Sequence, residues 1–335
     1  MKMKPTFPAS YSTLCADALA EFLVLTYPFE DVQCIFLSRG VGDTYLVKTR
    51  QGRFVLRIYR TSHRSLSHVQ AEVALLLALK TANVSVSWPV ADRTGETIQS
   101  INAVEGIRYA VLFSYAPGES VRMPDDRQLY HLGREMARFH EVSSTIRLPG
   151  ERWLFDFSTT FAKPLEELKG RFSDNPEEFD WLQSAARLVE MKLAGTDTST
   201  LSTGYCHFDF LPKNMHFDQD TVTFFDFDFM GYGWLVYDLV SFWQHLAIEV
   251  YAGRLTPQAY EKAYAGFLGG YRAHRSISDE ELALVPYLAI GFWLFYMAFH
   301  TTHDQFYSFT RPAQLRVYTS FLRHLAETYW DQQPA

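Results

Sequence analysis

Asp209, Asn214, Asp226 and Asp228 are the residues of this chain whose types and spacing speak most directly of chemistry. Asp209 follows His207 in CHFDFLPKN, and Asn214 closes that run. Residues 215–217 and 221–225 then read as a hairpin about the turn Asp218-Gln219-Asp220, which delivers Asp226 and Asp228. A hairpin folds back on itself, so the residue before its first strand lies beside the residue after its second. Those residues are Asn214 and Asp226, and each can aim a hard oxygen at one Mg²⁺. Asp209, one short loop upstream, can hold an incoming hydroxyl by its proton. Two oxygen ligands for a metal and one carboxylate for the nucleophile are what phosphoryl transfer to an alcohol requires, a reaction that rests on positioning and charge neutralisation. Phe208, Phe210, Phe225 and Phe227 flank these groups, and carboxylates set against rings without a use are costly.

Upstream elements must position the other half of such a reaction. Residues 32–38 (VQCIFLS), 44–49 (TYLVKT) and 53–59 (RFVLRIY) read as strands, joined by Arg39-Gly40-Val41-Gly42-Asp43 and by Gln51-Gly52, which opens an antiparallel sheet. Gly40 and Gly42 can lay backbone N–H groups over phosphates. Arg57, mid-way along the third strand, can reach α- and β-phosphate oxygens, and Glu72 on a helix over 67–81 is placed to pair with it. A strand over 108–115 ends at Ala116-Pro117-Gly118, so Ser114 and Ala116 offer backbone where an adenine edge can bond. Lys213 is a further phosphate contact. Beyond Gly118 the apolar period is helical, over 125–142, 179–193, 239–251, 257–274, from 282 onward and over 312–329. The expected division is a β-rich nucleotide-binding lobe, 1–116, and a helical lobe, 117–335, with the catalytic loop, metal site and acceptor pocket.

Composition bounds these readings. The chain has 335 residues, 47% of them hydrophobic, enough for about two domains with sizeable cores. Lys and Arg total 31 against 38 Asp and Glu, and a net charge of −7 argues against a nucleic-acid partner. Cys15, Cys34 and Cys206 are far apart and form no CxxC pair, so neither a disulfide framework nor a zinc site is expected, and a cytoplasmic setting is. The first residues carry no apolar run of secretory type, so no signal peptide is expected. Residues 282–299 run without a charge but contain Pro286 and Gly291. They read as a buried helix of a large helical domain rather than as a membrane span.

The order of these parts resembles the protein-kinase-like small-molecule kinases: aminoglycoside phosphotransferases, choline kinases, type II homoserine kinases and their bacterial relatives. CHFDFLPKN (206–214) is similar to that family's His-x-Asp-x-x-x-x-Asn, and FFDFDFMGYG (224–233), followed by Tyr237-Asp238-Leu239, is similar to its metal-aspartate stretch. The likeness spans nearly the whole chain in the order of parts and is specific over 204–239. It implies an α+β, two-lobed protein-kinase-like fold, with a small antiparallel β lobe bearing one helix and a larger, mainly helical lobe. It also implies ATP- and Mg²⁺-dependent transfer to a hydroxyl of a small molecule such as an aminoglycoside, amino alcohol or homoserine. Under it Asp209 is the catalytic base, Asn214 and Asp226 are metal ligands with Asp228 a further candidate, and Arg57 and Glu72 are the phosphate-holding pair. Asp238 looks like the aspartate that braces the catalytic loop, and it also suits an N-cap for a helix from Leu239. This chain departs from many relatives at Phe208 (Gly), Leu211 (His) and Arg57 (Lys).

Plainer readings stand beside these. Gly40 and Gly42 also fit a hairpin turn, and Arg57 with Glu72 a structural ion pair. His207 reads as a scaffold for its loop, and Asp218 and Asp220 as turn residues. The late aromatics, such as Trp243, Trp293, Phe295 and Phe299, have helical spacing and read as core, with a cation–π box as the functional alternative. Three competing functions are considered. A Ser/Thr protein kinase needs an activation segment, and none is seen in residues 227–237. A metal-dependent hydrolase built on His207, Asp209, Asp226 and Asp228 needs more histidine ligands. A dead nucleotide-binding module conflicts with the complete Asp209, Asn214 and Asp226 set.

Overall fold

Leu19 and Leu23 on one helical face, with Tyr27 just beyond the end of that helix, cluster with Cys34, Tyr45, Val47, Leu56 and Leu112, and this apolar contact is the core of the N-terminal part of the chain. The computed structural model describes residues 7–148 and 152–330. These divide into two contact-dense units: residues 7–118 with 147–148 and Thr223–Asp228, and Glu119–Ile146 with Arg152–Val222 and residues 229–330.

The first unit contains α1 (Ala16–Thr26), β1 (Gln33–Arg39), β2 (Asp43–Thr49), β3 (Gly52–Ile58), α2 (Leu66–Thr81), β4 (Ile98–Ala103) and β5 (Gly106–Ser114). The strands form one antiparallel sheet in the order β1-β2-β3-β5-β4. β2 alternates buried and half-buried positions, the signature of a strand with one face on a core. α2 is started by Ser65, whose hydroxyl accepts the His68 N–H while the His68 ring takes the Ser65 N–H. The later segment Thr223–Asp228 is tied into this unit by Phe224, whose N–H donates to the Ser85 carbonyl and whose carbonyl accepts from the Ser87 N–H (3.0 and 2.8 Å).

The second unit contains α3 (Asp126–Ser143), β6 (Trp153–Phe155), a π-helical turn (Ser158–Ala162), α4 (Lys163–Leu168), α5 (Pro176–Ala194), β7 (Thr203–Cys206) and β8 (Met215–Asp218). The strand β9 (Thr221–Phe224) pairs with β8 in the expected hairpin, and β10 (Gly231–Trp234), α6 (Val236–Tyr251), α7 (Pro257–Arg272), α8 (Asp279–Ala283), α9 (Val285–Phe299) and α10 (Pro312–Tyr329) follow. β10 is the centre of a three-stranded sheet, parallel to β6 and antiparallel to β7. α3 and α7 approach backbone to backbone: a Cβ on Gly270 would sit 1.9 Å from the Tyr130 carbonyl oxygen, so only glycine fits there.

The charge-free run over 282–299 is divided at Leu284, the residue between α8 and α9, and α9 is buried along most of its length. Among the described residues no helix is long and apolar enough to cross a membrane.

Candidate active site

In the first unit the β1–β2 connection is tight: the Gly40 N–H donates to the Gly42 carbonyl at 2.9 Å. A Cβ on Gly42 would lie 2.8 Å from the Ile58 carbonyl oxygen, whereas one on Gly40 would meet nothing closer than 3.9 Å. Gly42 is therefore required by close approach to β3. Beside it, Arg57 forms an ion pair with Asp226 and a second with Asp228 at 3.5 Å. Burial opposes the Arg57 charge, but Asp226 and Asp228 outweigh it and raise its pKa.

Three sequence expectations are revised here. Arg57 takes its ion pairs from Asp226 and Asp228 rather than from Glu72; buried Glu72 lies close enough that its charge, after burial, helps raise the Tyr59 phenol well above its ordinary range. Asp228 was expected at the metal, yet both its carboxylate oxygens are engaged by the Arg64 guanidinium (2.9 and 3.0 Å), and the residue is fully buried. Such a two-pronged arginine–carboxylate fork is a structural anchor. Ser114 was expected to offer backbone groups, but its N–H donates to Trp88 (2.9 Å) and its carbonyl accepts the Ser87 hydroxyl. Ala116 is buried in the connection that follows.

In the second unit Asp238 organises the loop that carries Asp209. Its carboxylate accepts the backbone N–H groups of His207 (2.9 Å) and Phe208 (2.6 Å) and also faces His140 Nε2 (3.0 Å). A carboxylate only accepts, so Nε2 carries the proton and His140 Nδ1 accepts the Tyr271 hydroxyl (2.8 Å). Burial, against the pull of Asp238, keeps the His140 pKa low and the ring neutral. The N-cap reading of Asp238 is corrected: α6 begins earlier, at Val236, and Asp238 lies inside its first turn with its side chain turned to the loop. A negative charge there also suits the helix dipole.

Phe208 has φ of +65°, a left-handed value unusual for an aromatic residue. Its fully buried ring stacks on Phe155 (centroids 3.8 Å apart, planes 12°) and meets Phe295 edge-on at 5.0 Å. Strain of about 1–3 kcal/mol at such a residue is offset by ring burial worth about 1.5–3 kcal/mol. The position often filled by glycine is held here by core packing instead. His207 acts as the expected scaffold, its Nδ1 accepting the Asp209 N–H (3.2 Å). Asn214 Nδ2 donates to both the carbonyl (2.9 Å) and the carboxylate (2.7 Å) of Asp209, and Lys213 Nζ lies 3.0 Å from the same carboxylate.

Among the described residues no group of three or more His, Cys, Asp or Glu could hold a metal, so a hydrolase-type ligand cluster is not found there. Hard oxygens remain: Asn214 Oδ1, opposite an amide nitrogen already committed to Asp209, and the half-exposed Asp226 carboxylate. Each by itself is a hard oxygen of the kind Mg²⁺ takes, and Mg²⁺ asks few oxygens of a protein because phosphates and water complete its octahedron.

The profile described as phosphotransferase enzyme family matches residues 34–277, from β1 through Arg57, the Asp209 loop and Asp238. The chain belongs to the phosphotransferase enzyme family. An uncharacterized protein of Deinococcus radiodurans is 31% identical over 294 residues, 87% of this chain and 84% of its own. Amicoumacin kinase of Bacillus subtilis is 24% identical over 283 residues, 83% of each chain. The solved structure of amicoumacin kinase hAmiN in complex with AMP-PNP, Ca²⁺ and Ami matches with a TM-score of 0.76 at 19% identity, covering 94% of this chain and 95% of that one. The α+β, kinase-like fold and the phosphotransferase class expected from the motif are thereby shown.

Sequence reading of this phosphotransferase missed Arg64, His140, Tyr271 and His300, none of which lies in a local motif. His300 follows α9 and packs against Phe306 and Phe309. Burial, aided by Lys213 and opposed by Asp209, pushes its pKa from 6.5 down to about 4. The unfolded chain therefore binds a proton near pH 6.5 that the folded chain refuses until about 4, so His300 makes stability fall as pH drops through that window. His300→Asn is expected to shallow the acid limb of stability, measured as urea midpoints from pH 7 to 4; an unaltered limb would contradict this. The late aromatics are chiefly core: Trp243 packs on Tyr329, Trp293 on Tyr318 and Phe321, and Phe295 on Trp153, Phe155 and Phe208.

Proposed function

We propose that this phosphotransferase transfers the γ-phosphoryl group of ATP, with Mg²⁺, to a hydroxyl of a small, amine-bearing alcohol in the cytoplasm. The observation that carries the reading is the Asn214 amide closed on both oxygen types of Asp209, in a loop pinned by Asp238. That arrangement leaves Asp209 one fixed direction in which to accept a hydroxyl proton. In this reading Asp209 aligns the acceptor oxygen and takes its proton as the bond to phosphorus forms. Lys213, beside Asp209, supplies a cation for the transferring group, and Arg57 with the Gly40–Gly42 backbone holds the remaining phosphates. Mg²⁺, when bound, would be held by Asn214 and Asp226 and would neutralise phosphate charge. Asp228 supports this set by its ion pair with Arg57, held in place by the Arg64 fork.

A cavity of about 460 Å³ in the helical unit, lined by Trp153, Asp156, Lys163, Glu167, Phe299 and Thr302, supports a small acceptor. Asp156 and Glu167 are matched there by Arg152 and Lys163, so beside the rings the lining suits a molecule that carries an amine together with polar or anionic groups. The amicoumacin kinases among the relatives are named for a small-molecule acceptor. Purified protein with Mg–ATP, tested against aminoglycosides, amino alcohols, homoserine, sugars and a Ser/Thr peptide, is expected to phosphorylate an amino-group-bearing alcohol. Transfer to the peptide alone, or release of free phosphate with no acceptor product, would reject the proposal.

A further inference from the structure

The segment that precedes α1 is stitched to both flanks of the glycine connection. The Tyr11 hydroxyl donates to Asp43, which directly follows Gly42, and Arg39, which directly precedes Gly40, donates to the Thr13 hydroxyl. Between them the Ser12 carbonyl accepts from Arg108 (2.8 Å), while the Ser12 N–H and hydroxyl donate to Glu105 (3.1 and 2.6 Å). The Leu14 carbonyl accepts from the Tyr45 hydroxyl in β2 (2.7 Å).

Arg108 is the hub beneath this strap. It is almost fully buried, and its guanidinium also donates to Asp43 (3.0 Å) and to the carbonyls of Tyr59 (3.1 Å) and Ile58 (3.2 Å). The Ile58 carbonyl is the group against which Gly42 is pressed. Three guanidinium carbons surround the Tyr11 ring, those of Arg60, Arg39 and Arg108 at 3.5, 4.7 and 5.2 Å from its centroid. Arg60 is itself buried, with no hydrogen-bond partner for Nε or Nη2, and its charge rests on that ring and on Asp43 at 3.9 Å. One phenol thus joins the end of β3, the start of β2 and three arginines.

We infer that Tyr11 is a positioning residue for the Gly40–Gly42 connection, and that residues 11–14 fix this connection in the form that receives nucleotide phosphates. The inference rests on the reading of the connection as a phosphate holder. Tyr11 touches no reacting atom; it acts through Asp43. Tyr11→Phe keeps the ring among the arginines and removes only what the hydroxyl does, its bond to Asp43 and its contact with Arg60, so the fold survives, and Tyr11→Ala removes the ring as well.

Two measurements test the inference. In the free protein, hydrogen exchange at the amides of residues 40–43 and tryptic cleavage after Arg39 are expected to quicken about tenfold in Tyr11→Phe and further in Tyr11→Ala, the effect of losing one charge-assisted hydrogen bond. Amides in α6 serve as the unaffected control. In the transfer assay the nucleotide KM is expected to rise about tenfold, with kcat and the acceptor KM within about twofold. Unchanged exchange at residues 40–43 overturns the positioning role. Quicker exchange with an unmoved nucleotide KM overturns the link to nucleotide, and kcat and both KM values moving together with the melting temperature leave a structural strap only. A parent protein that transfers no phosphate would reject the kinase reading, while the exchange result would still decide whether Tyr11 holds the connection.

Discussion

Asp209→Asn is expected to slow phosphoryl transfer by about 10³-fold while Mg–ATP still binds with nearly the parent affinity. Asparagine matches the shape of aspartate and keeps an oxygen for Lys213, so the loop stays folded around it. What disappears is the lone pair able to take a proton from the acceptor hydroxyl. Nucleotide contacts belong to other residues in the proposed mechanism, namely Arg57, Lys213, the Gly40–Gly42 backbone and the oxygens of Asn214 and Asp226. A rate deficit confined to kcat, with binding preserved by calorimetry, would assign the proton-accepting role. Parent-like turnover in this variant would remove Asp209 from the chemistry altogether.

The second large effect is expected at Asp238, which touches neither nucleotide nor acceptor in the proposed scheme. Asp238→Ala removes one acceptor and strands three buried donors: the N–H groups of His207 and Phe208 and Nε2–H of His140. Each unsatisfied donor costs about 1–3 kcal/mol, so a stability loss of about 3 kcal/mol or more is expected. Asp238→Asn is the more informative variant. Its single oxygen can keep the Phe208 bond, and His140 can exchange tautomers to accept from the new amide, but the His207 N–H then meets another donor. Stability should fall by only about 1–2 kcal/mol, yet Asp209 loses its alignment and kcat should drop about 100-fold, the scale of a small misplacement at a reacting centre. Urea unfolding alongside kcat separates the two effects. An Asp238→Asn protein with intact kcat would show that the brace is dispensable.

Local rules reached the parts of this molecule whose meaning is local. CHFDFLPKN was legible because histidine, aspartate and asparagine act on one another within eight residues of chain, and the hairpin after Asn214 follows from its turn. Long-range choices were not legible. Arg57 had acidic candidates on several elements, and only the folded chain shows that Asp226 and Asp228 hold it while Arg64 claims Asp228 across 164 residues of sequence. The N-cap rule failed at Asp238 because tertiary bonding to His207 and Phe208 outweighs one capping bond. The helix α1 and the strands β4 and β6 escaped notice because their apolar positions are few or their runs short, and only packing against the sheets makes them stable. Phe208 looked like a departure from the family pattern; the stack on Phe155 explains how an aromatic side chain serves at a left-handed position.

That stack also bears on how the protein responds to heat. The Phe208 ring, next to Asp209, is shared with α9 through Phe292, Phe295 and Tyr296, so this loop is expected to loosen only with the helical core. A glycine at the same place would let the loop fray on its own, well below the melting point. Here thermal inactivation and melting are expected to fall together, so that activity would follow the cooperativity of the interior.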